Sequence, residues 1–190
     1  MEKDIIKVAD GVVVIKRCLS IEDQQRLAKI VINYGNLLGE DGVPNFSKSR
    51  GRNYSNLDVY GNDDKQYMKA ICEATMKDVH SVDKLIPTCD PTHLLSLYYI
   101  TGQGMGWHPD DGKNDGDMDT PVISYTIGNS CIFEYKIDEK ILSEQLDSGD
   151  VIIFGGPQRL MYHRVKKVLR GTVPNNLDID DVRINLTFRG

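Results

Sequence analysis

Six short runs of branched and aromatic residues punctuate the second half of the chain: Leu94 to Ile100, Val122 to Ile127, Cys131 to Ile137, Val151 to Phe154, about Met161 to Val168, and Val182 to Phe188. The stretches between them are rich in Gly, Asp, Asn and Pro, so the runs read as strands and the gaps as turns. Successive strands with such short connections bury their apolar faces by forming a β-sandwich or barrel.

The first half reads differently. Gly11 to Ile15 is a short β-branched run, and Ser20 is placed to cap a helix in which Ile21, Leu27, Ile30, Val31, Tyr34 and Leu38 recur at helical spacing. From Gly39 to Gly61 neither period survives, which predicts a long loop carrying Lys48, Arg50 and Arg52. A second helix is expected from about Asp63 to Val79, with Tyr67, Ile71 and Ala74 on its buried face and Pro87 and Pro91 beyond its end. The fold class is therefore mainly β with N-terminal helices.

With 190 residues and 40% hydrophobic content, the chain can build one core but hardly two. No apolar run approaches the ~20 residues that span a bilayer, and Met1 to Asp10 lacks the pattern of a signal peptide. The expected compartment is cytoplasmic or nuclear, not secreted, with no membrane partner. Cys18, Cys72, Cys89 and Cys131 are scattered without a Cys-x-x-Cys pair, which favours buried free thiols over a zinc site or disulfides. A formal net charge of −5 argues against broad electrostatic gripping of duplex nucleic acid. Any nucleic-acid contact must be local.

Chemistry concentrates in three places. In Gly106-Trp107-His108-Pro109-Asp110, an extended backbone puts residues i and i+2 on one side, so His108 and Asp110 can converge on one ion while Pro109 faces away. His163, after Val151 to Phe154 and the turn Gly155-Gly156-Pro157, is the best candidate for a third ligand. Two His and one carboxylate form the facial arrangement of non-haem Fe(II) oxygenases, which leaves coordination positions open. His80 and His93 are assigned ordinary surface or packing roles.

The third place is the last strand. Arg183, Asn185, Thr187 and Arg189 share one face by alternation, and Ile184, Leu186 and Phe188 share the other. Such a strand can be an edge strand with its polar face in water. Equally, two guanidinium forks suit a dicarboxylate such as 2-oxoglutarate.

In its ordered motifs the chain resembles the AlkB family of Fe(II)/2-oxoglutarate-dependent dioxygenases over roughly Leu94 to Arg189. The motifs are Tyr99, His108-x-Asp110, Pro121-Val122-Ile123-Ser124 leading into Ile127-Gly128, Ser148-Gly149-Asp150-Val151-Ile152-Ile153-Phe154-Gly155-Gly156 through Arg159-Leu160-Met161-Tyr162-His163, and Arg183-x-Asn185-x-Thr187-x-Arg189. The resemblance implies a double-stranded β-helix (jelly-roll) core, with His108, Asp110 and His163 as iron ligands and with 2-oxoglutarate and O2 as cosubstrates. It also implies that Arg189 pairs with the carboxylate nearer the metal, Arg183 with the distal one, and that Tyr99 and Asn185 hydrogen-bond the cosubstrate. The expected organisation is one oxygenase domain over 1–190: a helical part with a candidate substrate lid over 1–90 and a jelly-roll catalytic core over 91–190. Two positions depart from the family pattern. Leu97 stands where an Asn is common, and Gly112 stands where nucleic-acid-repairing members often have an acidic residue.

The substrate implied is a methylated base in DNA or RNA, with single strands favoured because the basic surface is limited. Trp107, Asp111, Tyr54, Arg50 and Arg52 are the candidate substrate contacts, and Phe46, Tyr54 and Tyr60 flank the basic loop. For Trp107 the alternative is a plug of the barrel mouth, and for the loop a solvated connector. Arg164, Lys166, Lys167 and Arg170 form a second basic cluster after His163, placed for phosphate contacts or as plain surface charge. Two further readings stay open: the same chemistry on a protein side chain or small molecule, and a metal-binding jelly roll without turnover.

Overall fold

A computed structural model describes residues 2–37, 50–100, 102–112 and 116–190. In chain order the elements are β1 (Asp4–Ala9), β2 (Val12–Lys16), α1 (Ile21–Leu37), β3 (Arg50–Asn56), α2 (Asn62–Val82), β4 (His93–Ile100), β5 (Met105–His108), β6 (Val122–Gly128), β7 (Cys131–Ile137), β8 (Lys140–Leu146), β9 (Val151–Phe154), β10 (His163–Val168) and β11 (Val182–Arg189). Short 3-10 turns cover Leu57–Val59 and Gly156–Gln158.

The strands form two antiparallel sheets. The larger has seven strands in the order β1-β2-β9-β6-β11-β4-β3, and the smaller has four in the order β5-β10-β7-β8. This is the jelly-roll architecture that the strand pattern and the family resemblance point to.

Alternation along the central strands of the large sheet builds two separate apolar layers. Val13 and Ile15 of β2, Ile123, Tyr125 and Ile127 of β6, Val151 and Ile153 of β9, and Ile184, Leu186 and Phe188 of β11 pack with the helices. The alternate residues, among them Val12, Val14, Val122, Ile152 and Phe154, face the small sheet and meet Phe133, Tyr135 and Val165. The helices thus cover one face of the large sheet, and the inner faces of both sheets enclose the other layer.

The helix start follows the expected chemistry. Ser20 Oγ accepts from the Asp23 amide at 3.1 Å and donates to the Asp23 carboxylate at 2.8 Å, a reciprocal cap on the first turn of α1. On α2 the buried face is Met68, Cys72, Thr75, Met76 and Val79, one position round from the expected one. Tyr67 and Ile71 only flank the core, and Ala74 is exposed.

Two further expectations are corrected. The predicted loop over Gly39 to Gly61 contains a strand: Arg50–Asn56 is β3, paired in register with β4. Residues 38–49, including Phe46, Lys48 and the last helical position Leu38, lie outside the described residues. Tyr60, expected beside a lid, is buried and packs against Tyr34 in a tilted pair with ring centroids 4.7 Å apart. Before residue 90 the β-branched run Gly11 to Ile15 forms the strand it suggests, β2, which together with β1 joins the large sheet through β9. The hairpin between them turns at Gly11, which has φ +87°. A Cβ there would lie 2.6 Å from the Gly155 carbonyl oxygen, so the close approach of the β9 end requires glycine.

Finally, β11 is no edge strand. It lies between β6 and β4, and every one of its eight residues is buried. Its polar face is turned into the protein, over the gap between the sheets, which is where a site can form.

Candidate active site

β5 and β10 are neighbours in the small sheet, with His108 directly opposite His163. Directly paired residues project to the same side. The two imidazoles therefore meet, with ring centroids 4.4 Å apart, and Asp110 joins them just past the end of β5. Asp110 Oδ1 lies 3.9 Å from His108 Nε2 and 3.7 Å from His163 Nε2. One ligand atom from each of the three residues falls within 4.8 Å of the others, which is a span one metal ion can bridge.

The backbone fixes which nitrogen each histidine offers. His108 Nδ1 lies 2.8 Å from the Gly106 carbonyl and His163 Nδ1 lies 2.9 Å from the Met161 carbonyl. A carbonyl can only accept, so each Nδ1 carries the proton and each Nε2 presents its lone pair toward Asp110. Protonation states suit a cation. Burial pushes the His163 pKa down against the pull of Asp110, which keeps the ring neutral. Burial alone would raise Asp110, but Arg189, then His163 and His108, outweigh it and hold the carboxyl below its ordinary value. Metal ligands must be deprotonated, and both of these are at neutral pH.

Arg189 links the metal triad to the next part of the site. Its Nη2 donates to Asp110 Oδ2 at 2.6 Å, and the side chain is 2% exposed. Arg183, six residues earlier, stands about 20 Å away along the strand at ~3.3 Å per residue. Both guanidiniums nevertheless reach one cavity of about 210 Å³, which also takes in His108, Asp110 and His163.

Arg183 is the more telling of the two. It is 1% exposed, its Nη2 donates to Thr126 Oγ1 at 3.0 Å, and its Cζ lies 5.2 Å over the Tyr99 ring. Its Nε and Nη1 find no hydrogen-bond partner among the described residues, and no carboxylate of those residues pairs with it. A buried cation with idle donors is costly unless an anion completes it. The donor set facing the cavity therefore fits a dicarboxylate: one guanidinium beside the metal triad, the other deep in the cavity with two donors unused.

Among the remaining expected residues, Tyr99 is fully buried and lines the cavity. Asn185 lines it too, but its Nδ2 already donates to Ser124 Oγ at 2.8 Å and to the Tyr125 carbonyl at 2.9 Å. In this arrangement it orders the polar face and leaves no amide hydrogen for a ligand. Leu97 occupies the wall where an Asn was expected from the family, so that stretch of wall is apolar.

The proposed substrate residues scatter. Arg52 reaches the cavity from β3, pairing with Leu97. The backbone of Arg50 pairs with Tyr99. Tyr54 stacks on His93 at 5.4 Å and packs against the inter-sheet core, so it is a wall residue of the sheet and not part of a lid. Asp111 is exposed beside the metal pair, and Trp107 is absent from the cavity lining. His80 and His93 have the packing roles expected: His80 Nε2 lies 2.9 Å from the Ile86 carbonyl, and His93 Nδ1 lies 2.7 Å from Thr92 Oγ1.

Two contributions escape the sequence reading. Ser124 and Thr126, on the inner face of β6, hold Asn185 and Arg183 in place. Their alternation with Ile123, Tyr125 and Ile127 was a readable signal. The other is Arg159, 4% exposed, whose Nε donates to the Thr120 carbonyl at 2.7 Å and whose Nη1 donates to the Asp110 carbonyl at 2.9 Å. It ties together both ends of the 110–120 segment and so sets the height of a metal-binding carboxylate. An Arg159→Ala variant should lose roughly 10–100-fold in metal affinity, the usual cost of removing such outer support. Titration with Mn(II) in place of Fe(II) measures this, and unchanged affinity would show that the segment holds itself.

Comparison with known proteins decides the family. The sequence model of the 2OG-Fe(II) oxygenase superfamily matches residues 11–189. The chain belongs to this superfamily. Its oxygenases use Fe(II), 2-oxoglutarate and O2, and in this member one cavity brings the His108, Asp110 and His163 triad beside the paired arginines. Similar proteins include the DNA N(6)-methyladenine demethylase ALKBH1D of Arabidopsis thaliana, 30% identical over 116 residues, or 56% of this chain and 26% of that protein. The alpha-ketoglutarate-dependent dioxygenase AlkB of Escherichia coli is 32% identical over 106 residues, covering 54% of this chain and 47% of that one. The tRNA demethylase abh1 of Schizosaccharomyces pombe is 32% identical over 83 residues, covering 42% and 27%. The matches span between about a quarter and a half of those relatives' lengths. The solved structure of OsALKBH1 superposes with a TM-score of 0.78 at 24% identity, covering 97% of this chain and all of that one, which shows that the fold is shared. The AlkB resemblance read from the motifs agrees with these relatives.

Proposed function

We propose that this oxygenase removes alkyl groups from N-alkylated nucleobases in single-stranded DNA or RNA. The observation that carries the oxygenase chemistry is the cavity in which His108, Asp110 and His163 converge beside two buried arginines. What supports the choice of substrate is that the similar proteins named above act on methylated DNA or on tRNA. Iron and 2-oxoglutarate, when bound, supply the oxidising chemistry: O2 is consumed, 2-oxoglutarate leaves as succinate and CO2, and an N-methyl carbon is hydroxylated and lost as formaldehyde.

The chain's own residues do the rest. Nε2 of each histidine and a carboxylate oxygen of Asp110 would hold the iron, and Arg189 keeps Asp110 ionised and oriented. Arg183 and Arg189 would fix the two ends of the cosubstrate, with Tyr99 as the floor beneath Arg183. Phe133 stacks on His163 at 5.5 Å and Phe154 lies 5.1 Å from it, which keeps that side of the metal dry. No side-chain nucleophile is needed.

Mass spectrometry of N-methylated DNA and RNA oligonucleotides, incubated with the protein, Fe(II), 2-oxoglutarate and O2, tests the proposal. Loss of 14 Da per methyl group (~14, the mass of CH2) with formaldehyde and succinate in equal amounts is the expected result. The acidic balance of the chain favours a second reading, the same chemistry on a protein side chain or a small molecule. Succinate formation stimulated by a peptide or metabolite and by no oligonucleotide would establish that reading instead.

A further inference from the structure

Resting on the nucleic-acid reading, we propose that the outer face of the small sheet, beside the metal centre, docks the single strand that flanks the modified base. Trp107 immediately precedes His108, and Tyr162 immediately precedes His163. The two histidines turn inward to the cavity, so the residues before them are carried outward at its edge. Trp107 is half-buried there and Tyr162 is 51% exposed.

Cations are arranged around these rings. Lys136 Nζ lies 5.0 Å from the centre of the Trp107 ring and 6.0 Å from that of Tyr162, and Arg164 Cζ lies 4.7 Å from the Trp107 ring. Glu134, buried on the same face, receives Arg164 at 2.6 Å and Lys166 at 2.8 Å. That carboxylate fixes the Arg164 guanidinium against Trp107. Lys136 is exposed and has no carboxylate partner among the described residues. Lys136, Arg164 and Lys166 thus stand around one carboxylate, Glu134, in a chain whose formal net charge is −5.

Exposed aromatic rings interleaved with lysine and arginine suit a flexible polyanion that also presents flat bases. An acidic peptide would use the charges and leave the rings idle, and a duplex would need a wider basic surface. A single strand lying on Lys136 and Arg164 would bring a neighbouring nucleotide to the cavity mouth one residue from each metal histidine. Of the second basic cluster in the sequence, Arg164 and Lys166 belong to this strip, whereas Arg170 is drawn away to Asp181 at 3.7 Å.

Trp107 is the only tryptophan, so tryptophan emission, excited selectively over the nine tyrosines, reports on this strip. Unmethylated twelve-residue (~12) oligo-dT and oligo-U, titrated into the full chain at low salt, should change its emission saturably. Apparent affinity should fall with salt at a log–log slope of roughly −1.4 to −2, corresponding to two or three phosphates. It should weaken about tenfold or more in Lys136→Glu. The strip is overturned if Lys136→Glu binds like the wild type, or if polyphosphate or poly-glutamate, which lack bases, produces the same change. Demethylation of oligonucleotides without any emission change would also overturn it and leave the demethylase reading standing. A saturable, base-dependent change without turnover of any methylated oligonucleotide would support the strip and remove the demethylase reading.

Discussion

A His108→Ala variant should fold normally, lose Fe(II) affinity by more than 100-fold, and turn over no 2-oxoglutarate. The magnitude rests on comparison: removing outer support from a metal site costs roughly 10–100-fold, so removing a ligand should cost more. His108 is the right ligand to remove because its side chain is 34% exposed, against 9% for His163 and 7% for Asp110. Truncating it opens no buried cavity. Truncating Asp110 would leave the buried Arg189 without its 2.6 Å partner and confuse a metal effect with a folding effect. Thermal unfolding without metal should be unchanged, while the stabilisation that Mn(II) or Fe(II) gives the wild type should disappear. A variant that retained 2-oxoglutarate turnover would remove His108 from the metal centre.

What the sequence disclosed and what it hid follow from position in the sheets. The six strands read from branched and aromatic runs all occur, with Cys131–Ile137 and Val151–Phe154 matching residue for residue. Of the four edge strands of the two sheets, β1, β3 and β8 went unread and β5 was read only as an extended segment before Pro109. An edge strand needs little apolar content and often carries charge, which blunts pairing with other chains. β3, Arg-Gly-Arg-Asn-Tyr-Ser-Asn, has almost none of the residues that signal a strand, and only its pairing with β4 makes it one. The helix α2 was found, but its buried face is built from Met68, Cys72, Thr75 and Met76, whose weak or mixed polarity hides them beside Tyr67 and Ile71.

The site divides along the same line. His108, Asp110 and His163 were legible because metal chemistry restricts the residue types, and alternation around Pro109 already placed two of them together. Arg183 and Arg189 were legible as a shared face, but whether that face met water or a cavity depended on β11 being central, which alternation cannot reveal. Trp107 was tied to the substrate by adjacency to His108. The structure turns Trp107 away from the cavity that His108 enters, because neighbours on a strand face opposite ways, and sets it with Lys136 and Arg164 on the outer surface. Arg159 could not have been read at all, since its role is to hold two backbone carbonyls 10 positions apart in sequence, at Asp110 and Thr120.

An Arg189→Ala variant should show two separable defects. The first is in cosubstrate binding. Removing one partner of a buried, hydrogen-bonded charge pair costs about 2–5 kcal/mol, so the 2-oxoglutarate requirement should rise roughly 30-fold or more. The second is in the acid limit of metal binding. Burial pushes the Asp110 carboxyl up, and Arg189 is the largest influence holding it down. In the wild type the carboxylate therefore stays ionised below the ordinary range near 3.9 (about 3.9 for Asp), and its pairing is lost only on acidification through that lowered value. Without Arg189 burial is opposed by the histidines alone, the carboxyl titrates at higher pH, and protons compete with metal from a higher pH downward. Arg183→Ala is the control, because Arg183 pairs with Thr126 and not with the metal ligands. It should raise the 2-oxoglutarate requirement comparably while leaving the pH dependence of Mn(II) binding where the wild type has it. Calorimetric titrations of Mn(II) between about pH 5 and 8, followed by 2-oxoglutarate, separate the two. Identical pH profiles for both variants would show that Arg189 serves the cosubstrate alone, and an unchanged 2-oxoglutarate affinity in Arg189→Ala would show that it serves Asp110 alone.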